Sequence, residues 1–215
     1  MRKQSLLMAG AAVVLASVVA YAGQGAAATN PKLLTPAALN ETAPPTYTVN
    51  LDTSKGLIVI DVNRSWAPLA ADRFYNLVKN GFYNEARFFR VIPNFMAQVG
   101  INANPAVTRA WAGTPMKDEP TKQSNKKGFV TFARTGAPNS RGTQFFINYK
   151  DNSYLDASGF AAFGEVTKGL DIAESITAQY AERPSQGSIT NEGNAYLNRE
   201  FPKLDYIKTA TIATK

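Results

Sequence analysis

Short apolar runs, separated by polar and glycine-rich breaks, divide most of this chain into strand-sized pieces. Tyr47 to Leu51 and Leu57 to Val62 flank Ser54-Lys55-Gly56, the pattern of a β-hairpin. A different period follows: Trp66, Leu69 or Ala70, Phe74, and Leu77 or Val78 recur at helical spacing and predict a core-facing helix. Pro68 suits its first turn, Ser65 is available as a cap, and Asn80-Gly81 ends it. From Ile101 to Lys127 the periodicity is weak, which predicts a surface loop with at most one short strand. Phe129 to Ala133, Gln144 to Asn148 and Ala161 to Val166 read as strands, and Leu170 to Ala178 as a second amphipathic helix. Tyr180 to Arg199 is polar and irregular, and Tyr206 to Ile212 supplies a closing strand. Short strands with two isolated helices predict a mainly β fold, a barrel capped by helices, since closure removes exposed sheet edges. There is no internal repeat and no sign of a second domain.

The N-terminus follows another logic. Met1-Arg-Lys-Gln-Ser precedes an apolar run from Leu6 to Ala20 and small residues at Ala20-Tyr21-Ala22 and Ala26-Ala27-Ala28. This is the layout of a secretory signal peptide over residues 1–28, with cleavage near 22 or 28. A retained membrane anchor is the alternative, but roughly 15 residues rich in Ala and Gly fall short of the ~20 a span requires. Residues 29–45 carry Pro31, Pro36, Pro44 and Pro45 without any hydrophobic period and read as a flexible linker, leaving 46–215 as the folded domain. The expectation is an exported protein, periplasmic or secreted.

Composition narrows the chemistry. The chain has no cysteine, which excludes disulfides, thiol redox chemistry and thiolate metal sites, so stability must come from a packed core. The roughly 190 residues left after cleavage suffice for one. The net charge is +7, or +5 (21 basic against 16 acidic residues) once Arg2 and Lys3 are removed. The basic residues are dispersed and only Lys122 to Lys127 approach a cluster, so no nucleic-acid partner is expected.

The stretch from Phe88 to Gly100 is the exception to plain strand patterning, because it sets one cation and one amide in an apolar run. Read with period two, Phe88, Arg90 and Ile92 point to one side and Phe89 and Val91 to the other. Pro93 then breaks the ladder, and Phe95, Met96 and Gln98 lie on a second extended piece. If both pieces line one concave face, Arg90 and Gln98 reach a pocket floored by Phe95 and Met96. The plainer reading is a core strand whose arginine snorkels to solvent.

Two further segments bear on that choice. Phe132 to Ile147 contains Phe-Ala-Arg-Thr-Gly-Ala-Pro-Asn-Ser-Arg-Gly-Thr-Gln-Phe-Phe-Ile, and Tyr154-Leu-Asp precedes Phe160-Ala-Ala-Phe-Gly164. In this order and spacing, the three segments resemble the cyclophilin family of peptidyl-prolyl cis-trans isomerases, whose pattern reads F-H-R-x-I-P-x-F-M-x-Q-G-G, then M-A-x-x-G-P-N-x-x-G-S-Q-F-F-I, then W-L-D and V-F-G. The looser similarity runs from about Tyr47 to the C-terminus. The resemblance implies a closed eight-stranded antiparallel β-barrel with a helix at each end, no cofactor and no metal, and a monomer.

It also implies roles. Arg90 matches the catalytic arginine. Phe95, Met96, Phe146 and Leu155 match the proline pocket, Gln98 the residue that positions substrate and arginine, and Gln144 another polar wall residue. Ala133 and Arg134 match a strand edge that pairs with the peptide through main-chain groups. There are departures. Tyr154 replaces the usual tryptophan, which should weaken binding of cyclosporin-type cyclic peptides, and Phe160 falls where a histidine often lines the pocket. Gly-Gly has become Val99-Gly100, Ala137 lengthens the Gly-Pro-Asn turn, and Ile101 to Trp111 does not follow the family.

The activity implied is rotation of X-Pro bonds in unfolded or extended Pro-containing polypeptides. The alternative is a binding module, a chaperone or assembly factor that holds such segments without catalysis. A hydrolase is excluded by the lack of any histidine and of a G-x-S-x-G elbow.

Overall fold

The computed structural model describes residues 29–213; the expected signal peptide lies outside the described residues. Eight strands form one antiparallel sheet: β1 (Thr46–Thr53), β2 (Gly56–Asn63), β3 (Arg90–Ile92), β4 (Met96–Val99), β5 (Phe129–Phe132), β6 (Phe145–Asn148), β7 (Ala162–Lys168) and β8 (Ile207–Ile212), in the order β3-β4-β6-β5-β7-β2-β1-β8. The strands follow the alternation that predicted them. In β1 and β2 the inward residues Val49, Leu51, Ile58, Ile60 and Val62 are buried, while their neighbours Asn50, Leu57 and Asp61 are not.

The sheet curls around one main core but its ladder does not close, which corrects the closed barrel. β3 and β8 are the two ends of the order. The seam between them is crossed not by a ladder but by an isolated bridge, Arg87 to Tyr206, with Glu85 N donating to Ile207 O, Ile207 N to Ala86 O and Phe88 N to Asp205 O. The reason is local. The left-handed Glu85 (φ 63°) and the irregular backbone up to Phe89 delay β3 until Arg90, too late to run alongside β8. For the same reason the two-sided reading of Phe88 to Ile92 fails: Phe88 and Val91 both enter the main core, and Phe89 enters a second one.

Helix α1 (Pro68–Lys79) packs Ala70, Ala71, Phe74, Leu77 and Val78 into the main core, as its stripe predicts. Ser65 does not cap it. The Glu119 carboxylate, fifty residues away, accepts from Leu69 N and Ala70 N instead. The expected loop from Ile101 to Lys127 contains α2 (Pro105–Ala112), whose Val107 and Trp111 are buried. The second predicted helix is shorter than its pattern, α3 (Leu170–Glu174). The supposedly irregular stretch after it holds α4 (Gln186–Glu192) and α5 (Asn194–Glu200). Ile189 and Leu197 from these helices join Phe89, Ile101 and Leu204 in a second hydrophobic core. Two capping helices therefore become five α-helices among the described residues.

In place of a flexible linker, residues 29–45 form a packed strap. Two 3-10 turns, Pro31–Leu34 and Pro36–Ala38, bury Leu33, whose carbonyl accepts from Trp111 Nε1 at 2.9 Å. Asn76 Nδ2 donates to Glu41 O at 2.7 Å, and Ala43 N to Asp72 Oδ1 at 2.9 Å. No helix among the described residues is long and apolar enough to cross a membrane.

Candidate functional site

Register decides which side chains share a surface. Across β3, β4, β6 and β5 the paired residues Arg90, Gln98, Phe146 and Thr131 form one row, and Val91, Ala97, Ile147 and Val130 form the next. Side chains alternate along a strand, so the two rows face opposite sides. The second row lies in the main core. The first therefore lies on the outer face, joined there by Met96, one step along β4. Met96 and Phe146 are buried (1% and 4% exposed) yet belong to neither hydrophobic core. Loops laid over the outer face must bury them.

Those loops supply the remaining apolar residues. Phe160 meets Phe146 edge-on at 5.9 Å between ring centroids. Asn152, just before the 3-10 turn Ser153–Ser158, donates from Nδ2 to Phe95 O at 2.9 Å, which ties the turn carrying Tyr154 and Leu155 to the end of the β3–β4 hairpin. Tyr154 lies roughly parallel to Phe95 at 6.5 Å but is 61% exposed, a rim residue. Asp156 secures the same turn by accepting from Ser124 Oγ, Asn125 N and Asn125 Nδ2. Burial pushes its carboxyl up, but these three hydrogen bonds outweigh burial and hold it below the ordinary value of 3.8.

The polar residues form a connected line. Arg90 Nη1 lies 3.4 Å from Gln98 Oε1, Gln98 Nε2 donates to Gln144 Oε1 at 2.8 Å, and Gln144 Nε2 donates to Gln186 Oε1 at 3.2 Å. The guanidinium also lies 5.8 Å from the Phe95 ring centroid, so it faces the apolar residues. On its other edge Nε donates to Glu182 Oε2 at 2.9 Å. Beside this line opens a cleft of about 320 Å³, walled by Gln98, Ala133, Gln144 and Gln186 and by Thr108 and Trp111 of α2.

The structure thus brings Arg90, Met96, Gln98 and Phe146 to one face, with Phe95 beside Arg90, Gln144 on Gln98, Phe160 against Phe146, Tyr154 at the rim and Leu155 on the turn tied to the hairpin. Ala133 and Arg134 are placed differently from a free strand edge. β5 is paired on both sides, and Ala133 N donates to Gln144 O at 2.8 Å. Among the described residues the Ala133 carbonyl and the Arg134 N–H make no hydrogen bond. The Arg134 side chain turns to Ser158 O (2.6 Å) and Ala137 O, and lies 3.6 Å from Asp118; it ties loops together. Gly100 is required by geometry: its φ is +118°, and a Cβ there would come within 2.6 Å of Thr143 O.

Sequence reasoning missed Glu182 and Gln186. Both fall in a stretch without hydrophobic period, whose anchors Ile189 and Leu197 lie on two separate short helices.

Comparison with known proteins adds an independent measure. The family model for cyclophilin type peptidyl-prolyl cis-trans isomerase/CLD matches residues 48–193. A peptidyl-prolyl cis-trans isomerase of Acinetobacter baylyi is 42% identical over 133 residues, covering 60% of this chain and 70% of that protein. Peptidyl-prolyl cis-trans isomerase B of Escherichia coli is 34% identical over 167 residues, covering 74% and 94%. The crystal structure of a Cryptosporidium parvum cyclophilin type isomerase superposes with a TM-score of 0.61 at 22% identity, over 79% of this chain and 99% of that one. A structure of the same description, solved in the presence of the dipeptide Ala-Pro, gives 0.60. At that identity, the structural likeness speaks to the fold.

Proposed function

The chain belongs to the cyclophilin-type peptidyl-prolyl cis-trans isomerases, and from that premise we propose that Arg90 accelerates X-Pro rotation by donating a hydrogen bond to the prolyl nitrogen. Amide resonance imposes a barrier of about 18–20 kcal/mol on that bond. Rotation requires no bond to break. As the amide twists, the nitrogen loses conjugation, becomes pyramidal and gains a lone pair that planar cis and trans forms lack. A donor aimed at that lone pair stabilises the transition state selectively, which is the condition for raising the rate.

The observation that carries the reading is that the Arg90 guanidinium shares the outer face with Met96 and Phe146, which are buried outside both cores. An apolar slot accepts the proline ring and keeps water from competing for the donor. Gln98, fixed by Gln144, positions both arginine and substrate backbone, while the Ala133 carbonyl and the Arg134 N–H pair with the extended peptide. Leu155 and Phe160 close the slot, and Tyr154 offers weaker contact to cyclosporin-type cyclic peptides than a tryptophan would. The clients are exported, unfolded or extended Pro-containing chains, met after removal of residues 1–28, and the enzyme acts as a monomer.

A charge-assisted hydrogen bond contributes roughly 1.5–3 kcal/mol, so Arg90→Ala should lose about ten- to a hundredfold in kcat/KM. A protease-coupled assay on an Ala-Pro peptide measures this. Full activity in purified, folded Arg90→Ala would refute the assignment, and saturable peptide binding without rate enhancement by the natural protein would favour the binding-module reading.

A further inference from the structure

We propose that Glu182 is a positioning residue for Arg90, and that the segment 181–186 exists in this protein as a clamp holding the catalytic row at both ends. The inference rests on the reading of Arg90 given above. Following the polar line in either direction leads back to the same short segment. One end is Glu182 Oε2, accepting from Arg90 Nε at 2.9 Å; the other is Gln186 Oε1, accepting from Gln144 Nε2 at 3.2 Å. Between them run Arg90 of β3, Gln98 of β4 and Gln144 just before β6. Five side chains thus close a ring of which two belong to 181–186.

The segment is held firmly enough to act on its neighbours. Ala181 O accepts from Val91 N at 3.0 Å, covering the edge of β3 one residue beyond Arg90. Ala181 has a left-handed backbone (φ 50°), a conformation unfavourable for a non-glycine residue that persists only where surroundings impose it. Pro184 is buried, and the following helices α4 and α5 are anchored by Ile189 and Leu197 in the second core. Glu182 itself is 64% exposed at its side chain, so its pairing with Arg90 is screened and adds little to folding stability.

Its effect is on geometry. An arginine side chain carries large rotamer entropy, and an untethered fork would have to be ordered anew at each turnover. With Nε held by Glu182 and Nη1 beside Gln98, Nη2 is the arm that makes no hydrogen bond among the described residues. Its N–H bonds are the ones left for a substrate. A pure charge effect predicts the opposite, since the carboxylate partly neutralises the guanidinium and its removal strengthens the donor.

The test uses the mature protein with Glu182→Ala, Glu182→Gln and Glu182→Asp beside Arg90→Ala. Exchange spectroscopy on an isotope-labelled Ala-Pro peptide separates the rate on the enzyme from affinity, and the Arg90 Nε–H signal reports its tether. Expected for Glu182→Ala is a threefold to tenfold lower on-enzyme rate, part of the rotamer entropy expressed as rate, with affinity within about twofold. The Nε–H signal should broaden by faster solvent exchange, and Glu182→Gln, which retains an acceptor oxygen, should restore part of both. An unchanged or faster Glu182→Ala, with Arg90→Ala still impaired, overturns the clamp and leaves the role of Arg90 standing. A fully active Arg90→Ala overturns both.

Discussion

Arg90 on β3 stands directly across the ladder from Gln98 on β4, and Arg90 Nη1 lies 3.4 Å from Gln98 Oε1. That contact is long. The bond fixing the amide is the one from Gln98 Nε2 to Gln144 Oε1 at 2.8 Å, which turns the Gln98 oxygen toward the arginine. Gln98→Leu keeps the volume but removes acceptor and donor together. A neutral hydrogen bond of about 1 kcal/mol predicts a roughly fivefold to tenfold fall in kcat/KM. The melting temperature should change little, because Gln144 faces a cleft where water can replace its partner. Coupled assays with circular dichroism melts check both, and an unaltered rate would separate Gln98 from the chemistry.

Gly100 predicts a steric effect transmitted to the same row. Its φ of +118° is unfavourable for any L side chain, and an added Cβ would meet Thr143 O at 2.6 Å and the Gln144 Cα at 2.8 Å. Both are backbone atoms, so relief requires moving the chain that carries Gln144. Gly100→Ala should cost roughly 1–3 kcal/mol in urea unfolding and lower activity beyond what partial unfolding explains. Stability equal to that of the unmodified protein would mean the loop before β6 is softer than its packing implies.

Glu119 carries two duties that no local pattern joins. It accepts from the first turn of α1 at Leu69 N and Ala70 N, and it pairs at 2.8 Å with Arg141, whose side chain is fully buried. Arg141 Nη2 also donates to Lys117 O, while Nε has no partner among the described residues. Glu119→Ala leaves a buried, unpaired cation and an uncapped helix, predicting a loss of about 3–5 kcal/mol. The double variant Glu119→Leu with Arg141→Met should recover part of it, since the stranded charge is gone. Chemical denaturation of the single and double variants measures the coupling; strict additivity would contradict a direct pair.

Legibility in the sequence followed the range of the interactions involved. Strands and α1 were readable because burial on one face repeats every second residue, or every third and fourth, and such periods are local. The Glu119 cap, the buried Arg141 and the strap at 29–45 depend on partners tens of residues away. Ser65 looked like a cap only because its competitor was out of view. The strap has no period to detect, since Leu33 and Ala43 anchor it singly between prolines. In the site, Arg90, Gln98, Met96 and Phe146 could be grouped from motif order, and register then accounts for their common face. Glu182 and Gln186 could not, because their neighbours across the ring come from β3 and from the chain before β6. The open seam was equally hidden: it turns on the backbone angle at Glu85, which composition does not reveal.

Asp156 gives a prediction in pH. Its carboxylate draws Ser124 and Asn125 to the 3-10 turn that bears Leu155, and three hydrogen bonds lower its pKa in the folded protein despite burial. A depressed folded value means that the unfolded chain takes up the proton first as pH falls. The stabilisation is therefore fully present well above 3.8, the value expected when unfolded, and is lost as pH drops through the lower folded value. Asp156→Ala removes it at every pH. Thermal melts of both proteins between about pH 2 and pH 6 should show a gap in melting temperature that is constant at the upper end and narrows toward the acid end. Other carboxylates titrate alike in the two proteins and cancel in the difference. A gap that stays constant down to the lowest pH would show that the Asp156 charge does not hold the turn.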